Sequence, residues 1–109
     1  MSIAAYRKHC LSLPGATHAL KWSGVHAYSV DGKLFALFGA DSFSFKVDPH
    51  RFLELTDREG VAPAKFMARH KWVMLEDAKA LPEDEVLALL SRAHELATTK
   101  SRKRQESHR

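Results

Sequence analysis

From residue 2 to residue 13 the apolar positions recur at spacings of three and four. Ile3, Tyr6, Cys10 and Leu13 fall on one side of "SIAAYRKHCLSL". That period predicts an amphipathic helix with Ser2 as its N-cap, ended by Pro14, which has no N–H, and Gly15. From residue 17 the period drops to two. "VHAYSV" (25–30) sets Val25, Ala27 and Ser29 on one side and His26, Tyr28 and Val30 on the other. Asp31-Gly32 is a hairpin signal, because both central positions of the tight turn need positive φ. "KLFALFG" returns with Leu34, Ala36 and Phe38 opposite Phe35 and Leu37, and apolar residues on both sides mark a central strand. "FSFKV" (43–47) turns Phe43, Phe45 and Val47 inward and Ser44 and Lys46 outward.

Asp48 then caps a short helix with Pro49 at its first position and Phe52 and Leu55 toward the core. Gly60 ends it. "VAPAKFMARHK" (61–71) reads as a connector with one helical turn after Pro63, and "WVMLED" (72–77) as a further strand. The last helix opens on Glu83, Asp84 and Glu85, which suit the positive end of its dipole, and buries Val86, Leu89, Leu90, Ala93, Leu96 and Ala97. The order predicts an α+β fold of two layers. About five antiparallel strands pack against N- and C-terminal helices plus a short middle helix.

The 109 residues suit one domain, set at 1–98. No apolar run is long enough to span a membrane, the N-terminus has no secretory h-region, and the single Cys10 cannot form an internal disulfide. A cytoplasmic, bacterial-type, monomeric protein is the expectation. The net charge of +4 changes this picture only once it is located. Residues 99–109 hold five cations (Lys100, Arg102, Lys103, Arg104, Arg109) against Glu106, which is the whole excess, and are expected to form a basic disordered tail. Residues 1–98 balance twelve cations with twelve anions, so the folded part can attract phosphate only through a local patch.

"CLSLPGAT" (10–17), "DGKLFAL" (31–37), "SFKVDP" (44–49), "PAKFMARHKWVML" (63–75) and "LPEDEVLALLSRAHEL" (81–96) stand in the order of the MmcQ/YjbR-like family, which the chain resembles over roughly residues 5–97. The resemblance implies a CyaY-like α+β fold. It also implies the family's description as a "double-wing" DNA-binding-like domain, in which two β-hairpins grip a duplex. By position, the family's signature residues here are Lys46 before "VDP", Pro63 and His70-Lys71-Trp72. Where relatives often read Ser-Tyr-Glu-Leu in the last helix, this chain has Ala93, His94, Glu95 and Leu96, without the two hydroxyls.

Lys65, Arg69 and Lys71, with His70 and with Lys46 from a nearby strand, are the candidate phosphate-contacting set, since lysine and arginine bind phosphate oxygens without base specificity. The competing reading is a charged connector lying in water. Trp72 reads first as core and second as part of a ligand pocket. Trp22, beside Lys21, Ser23 and His26, is the more exposed aromatic and could line a cleft at the sheet edge. A small-molecule or protein-binding module with a pocket near Trp22, Lys46, Arg69 and Trp72 is therefore the alternative to DNA. No catalytic residue, cofactor or metal is indicated. His9 and Cys10 point about 100° apart on a helix, and His18 and His26 can meet across a hairpin but lack a third ligand. Cys10 sits on the apolar stripe, where a cysteine is a small core residue. The expectation is a non-enzymatic binding module.

Overall fold

The computed structural model describes residues 2–21, 24–65 and 67–106; Trp22, the candidate exposed aromatic, lies outside them, as does Phe66. α1 (Ile3–Ser12) is followed by β1 (Thr17–Lys21), β2 (Val25–Val30), β3 (Lys33–Phe38) and β4 (Phe43–Lys46). Then come α2 (Pro49–Thr56), β5 (Val61–Pro63), a 3-10 turn at Ala68–His70, β6 (Trp72–Leu75) and α3 (Glu83–Glu106). One sheet contains all six strands in the order β1-β2-β3-β4-β6-β5, and every pair is antiparallel. The fold is the expected α+β arrangement with one more strand. β5 is only three residues long and pairs Val61 with Leu75 across the sheet edge, a partnership that a three-residue segment next to a proline does not announce by alternation.

Local chemistry sets the elements. Ser2 caps α1 by accepting the Ala5 N–H at 3.2 Å, as its position predicts. Asp31 (φ 53) and Gly32 (φ 76) make the tight turn between β2 and β3. Along β3 the pairing jumps from Ala36 opposite Tyr28 to Leu34 opposite Ser29, so Phe35 is a bulged residue. A bulge breaks the two-residue alternation, and Phe35, Ala36 and Phe38 are all fully buried as a result. The assignment of Phe35 to the side opposite Ala36 is thereby corrected. The core is aromatic at its centre: Phe38 stacks on Phe43 at 4.8 Å, with Tyr6 and Tyr28 against them.

α3 lies across β3 and β4, beside α1. His94 is buried there, and its Nε2 meets the Pro14 carbonyl at 2.6 Å while its ring stands edge-on to Phe35. Asp48 holds the N-cap position of α2, but its side chain makes no capping bond. Both of its oxygens instead accept from Arg92 on α3, at 2.9 Å each. A bidentate charge-assisted pair outweighs a single bond to a backbone N–H, so the capping role expected of Asp48 becomes a tie between two helices. α3 runs to Glu106, through residues for which composition predicts a mobile tail; the side chains from 99 onward are outside the described set, and the boundary at 98 stays a sequence-based expectation. Among the described residues no helix is long and apolar enough to cross a membrane.

Gly60, at the exit from α2, has φ +84, and a Cβ there would sit 2.9 Å from the Cβ of Ala80. Gly60→Ala therefore meets both a left-handed backbone and a methyl with little room to retreat, and is expected to cost about 2 kcal/mol. Gly32→Ala has the same backbone penalty but open space. Thermal or urea denaturation of both variants checks this: Gly60→Ala should lose clearly more, and Ala80→Gly should recover part of the loss. Equal losses would show that the contact with Ala80 does not matter.

Candidate anion-binding site

The start of β3, the end of β4 and the start of β6 lie at the same end of the sheet. A cleft of about 240 Å³ opens there. Lys33 and Leu34 come from β3, Lys46 from β4, Met67 and His70 from the β5–β6 connection, Trp72 from β6 and Ala97 from α3. Lys46 stands opposite Trp72 in the β4–β6 ladder, so the two share a face of the sheet. The Lys46 ammonium donates to the His70 carbonyl at 3.0 Å, and the Val47 N–H donates to the Lys71 carbonyl at 2.9 Å. These bonds hold the cationic connection against the end of β4.

The connection itself is shaped by its backbone. The Met67 carbonyl accepts from the N–H groups of His70 and Trp72, closing the turn. Lys71 then takes φ 63, a left-handed conformation, to redirect the chain into β6. Its ammonium lies 5.1 Å from the centroid of the Phe52 ring on α2, a cation–π contact.

The structure thus brings Lys46, His70 and Trp72 together and separates Lys71 from them. Lys65 and Arg69 are exposed on the connection and do not line the cleft. Trp72 is only 3% exposed, which makes it a buried wall of the cleft and not a stacking platform. The sequence reading missed Lys33. The signal was available: in a meander, the first residues of β3 lie beside the last residues of β4.

Carboxylates are concentrated elsewhere. Glu85 on α3 takes Arg58 at 2.7 and 2.9 Å and Arg51 at 3.4 Å, while Glu54 takes both arginines from within α2. Arg92 is shared by Asp48 and Glu95. The hydrogen bond from Arg58 holds the Glu85 carboxyl below its ordinary range, and that from Arg92 does the same for Asp48. The seam between α2 and α3 is therefore internally neutralised. Residues 61–75, by contrast, hold Lys65, Arg69 and Lys71 and no Asp or Glu. Among the described residues these three cations form no ion pair. A chain that is neutral over residues 1–98 thus carries a locally positive segment.

Nucleophilic and metal chemistry find less support. Burial pushes the Cys10 thiol up to about 12, which keeps it protonated. His18 and His26 do meet across β1 and β2, with Nε2 and Nδ1 2.8 Å apart. Among the described residues no group of three or more histidine, cysteine or acidic side chains is placed to hold a metal ion.

A six-stranded antiparallel sheet with α1, α2 and α3 packed into one core makes this a small α+β domain. The chain belongs to the YjbR family, whose model matches residues 11–96. Two solved structures are similar in fold. A Deinococcus radiodurans protein with a DUF419 domain shares 22% identity at a TM-score of 0.79, over 92% of this chain and 80% of that one. A Pseudomonas syringae protein shares 18% identity at a TM-score of 0.70, over 89% of this chain and 99% of that one. No curated protein matches the chain.

The left-handed Lys71 separates two contributions. A non-glycine residue in this conformation costs about 1–2 kcal/mol, and the contact with Phe52 returns about 0.5–1 kcal/mol. Lys71→Gly is therefore expected to leave the melting temperature unchanged or to raise it. Lys71→Val, β-branched in the same conformation, should lower it. Calorimetry or circular dichroism melts check this, and equal losses in both variants would show that backbone conformation is not what position 71 is chosen for.

Proposed function

We propose that the protein is a non-enzymatic binding module that contacts the phosphate backbone of DNA weakly, through Lys46, Lys65 and Arg69, with His70 beside them. The observation that carries this reading is the charge segregation. The carboxylates facing arginine are gathered at the α2–α3 seam, and the β5–β6 connection has cations alone. Phosphate contacts of this kind position a duplex without reading its sequence. In the double-wing picture that the family resemblance implies, the hairpin at Asp31-Gly32 is one wing and the Lys46–Lys71 region supports the other. Two members of the set are already engaged, Lys71 with the Phe52 ring and Lys46 with the His70 carbonyl, so Lys65 and Arg69 are its leading contacts.

A second reading has one specific observation behind it: the cleft that joins Lys33, Lys46 and His70 over Trp72. At about 240 Å³ it is below the usual size of a metabolite pocket, about 300–1,000 Å³. It suits a small oxyanion better than a nucleotide.

Fluorescence anisotropy with a labelled duplex at low salt tests the leading reading. The tail is removed from consideration by replacing Lys100, Arg102, Lys103 and Arg104 with Gln in the full chain. That variant should still bind, with log K falling against log salt at a slope of about −3 for three phosphate contacts. Adding Lys65→Glu and Arg69→Glu should abolish the residual binding. No binding by the tail-neutralised variant would assign any DNA affinity to residues 99–109 and end the proposal for the folded domain.

A further inference from the structure

A second cleft, about 610 Å³, lies at the opposite end of the sheet, between the first turns of α1, the start of β2 and the β3–β4 turn. Its size falls within the range of metabolite pockets. Its lining is largely small or apolar, with Ile3, Val25, Gly39 and Ala40 around three polar side chains, Ser2, Arg7 and His26, of which Ser2 is taken up in capping α1. Arg7 and His26 are each oriented from behind by a different element. The Arg7 Nε donates to the Tyr28 hydroxyl at 3.1 Å, and the His26 Nδ1 meets the His18 Nε2 at 2.8 Å.

Arg7 differs from the arginines of the helical seam. Arg51, Arg58 and Arg92 each face two carboxylates. Arg7 is half-buried, and among the described residues it pairs with none. Its Nε bond to Tyr28 fixes the guanidinium plane and leaves the two terminal nitrogens, the edge that matches a carboxylate bidentately. α1 supplies no acid, since residues 2–13 contain no Asp or Glu. The local field is positive: desolvation, Arg7 and His18 together hold the His26 imidazole below its ordinary range.

We propose that this cleft binds a small organic carboxylate, with its anionic group on the terminal nitrogens of Arg7 and its apolar body against Ile3, Val25 and Ala40. The site is separate from the cations of the β5–β6 connection and does not depend on them. Inorganic phosphate matches the guanidinium but gains nothing from the apolar walls, which is why the organic anion is the favoured class. Binding neutralises the Arg7 charge that helps to hold the His26 imidazole down, so the ligand and the imidazole are linked: an occupied site raises the His26 pKa.

Benzoate, its uncharged analogue benzamide and inorganic phosphate are the probes, added to the isotopically labelled full-length protein and followed by NMR. Benzoate is expected to shift the Gly24, His26 and Gly39 amides saturably and to move the His26 titration upward. Benzamide and phosphate should do neither at the same concentrations. Arg7→Gln should weaken benzoate binding about tenfold or more, while the Lys65→Glu, Arg69→Glu double variant should leave it unchanged. The wild-type titration stands even where Arg7→Gln folds poorly. Equal responses to benzoate and benzamide, or an unmoved His26 titration at saturating benzoate, would overturn the proposal.

Discussion

Lys46 and Trp72 face each other in a ladder between two strands that are far apart in the chain, and the cationic region depends on that pairing. β4 ends the meander, and the chain then leaves through α2 and β5 before β6 returns to lie against β4. Four backbone-paired positions, Phe43 to Lys46, fix the return. Just beyond them the Val47 N–H and the Lys46 ammonium take the carbonyls of Lys71 and His70. Slipping this register by one residue would turn Val73 and Leu75, both fully buried, to the other face. Burial of those two side chains is therefore what places the cations of residues 65–71 at one end of the sheet.

The same economy of placement explains the charges. A domain with equal numbers of cations and anions over residues 1–98 has no net field to steer a polyanion. Four of the twelve acids, Glu54, Glu85, Asp48 and Glu95, are engaged with arginine where α2 meets α3. These contacts are partly exposed, so their value lies less in stability than in neutralising one region. The result is polarity by position: a neutralised helical seam, a connection with cations alone, and at the far end of the sheet a half-buried Arg7 that among the described residues pairs with no carboxylate.

Much of the fold was legible because alternation and helical spacing reported it directly. Tyr6 and Cys10 on α1, Phe43 and Phe45 on β4, Leu55 on α2 and Val86, Leu89, Leu90, Ala93 and Ala97 on α3 are buried where their periods put them, whereas Leu96 is only half-buried. The bulge at Phe35 was not legible, because it breaks the alternation that would announce it. Asp48 was misread for a different reason: a cap residue is recognised locally, and its true partner, Arg92, is a long-range one. The candidate site was half legible. Lys46, His70 and Trp72 do share a cleft. Lys71 turns toward Phe52 because its left-handed backbone redirects it, a property that no residue type announces. Arg7 passed unnoticed, since an arginine on a helix is ordinary until it is seen, among the described residues, without the carboxylates that the seam arginines face.

Chemical-shift mapping of the isotopically labelled full chain with a short duplex at low salt tests the central claim, that the cations of the β5–β6 connection, with Lys46 at the end of β4, form a phosphate-binding surface. The account expects the largest saturable shifts at Lys46, Lys65, Arg69 and His70, fading as salt is raised. Shifts confined to residues 99–109, or spread equally over the α2–α3 seam, would contradict it.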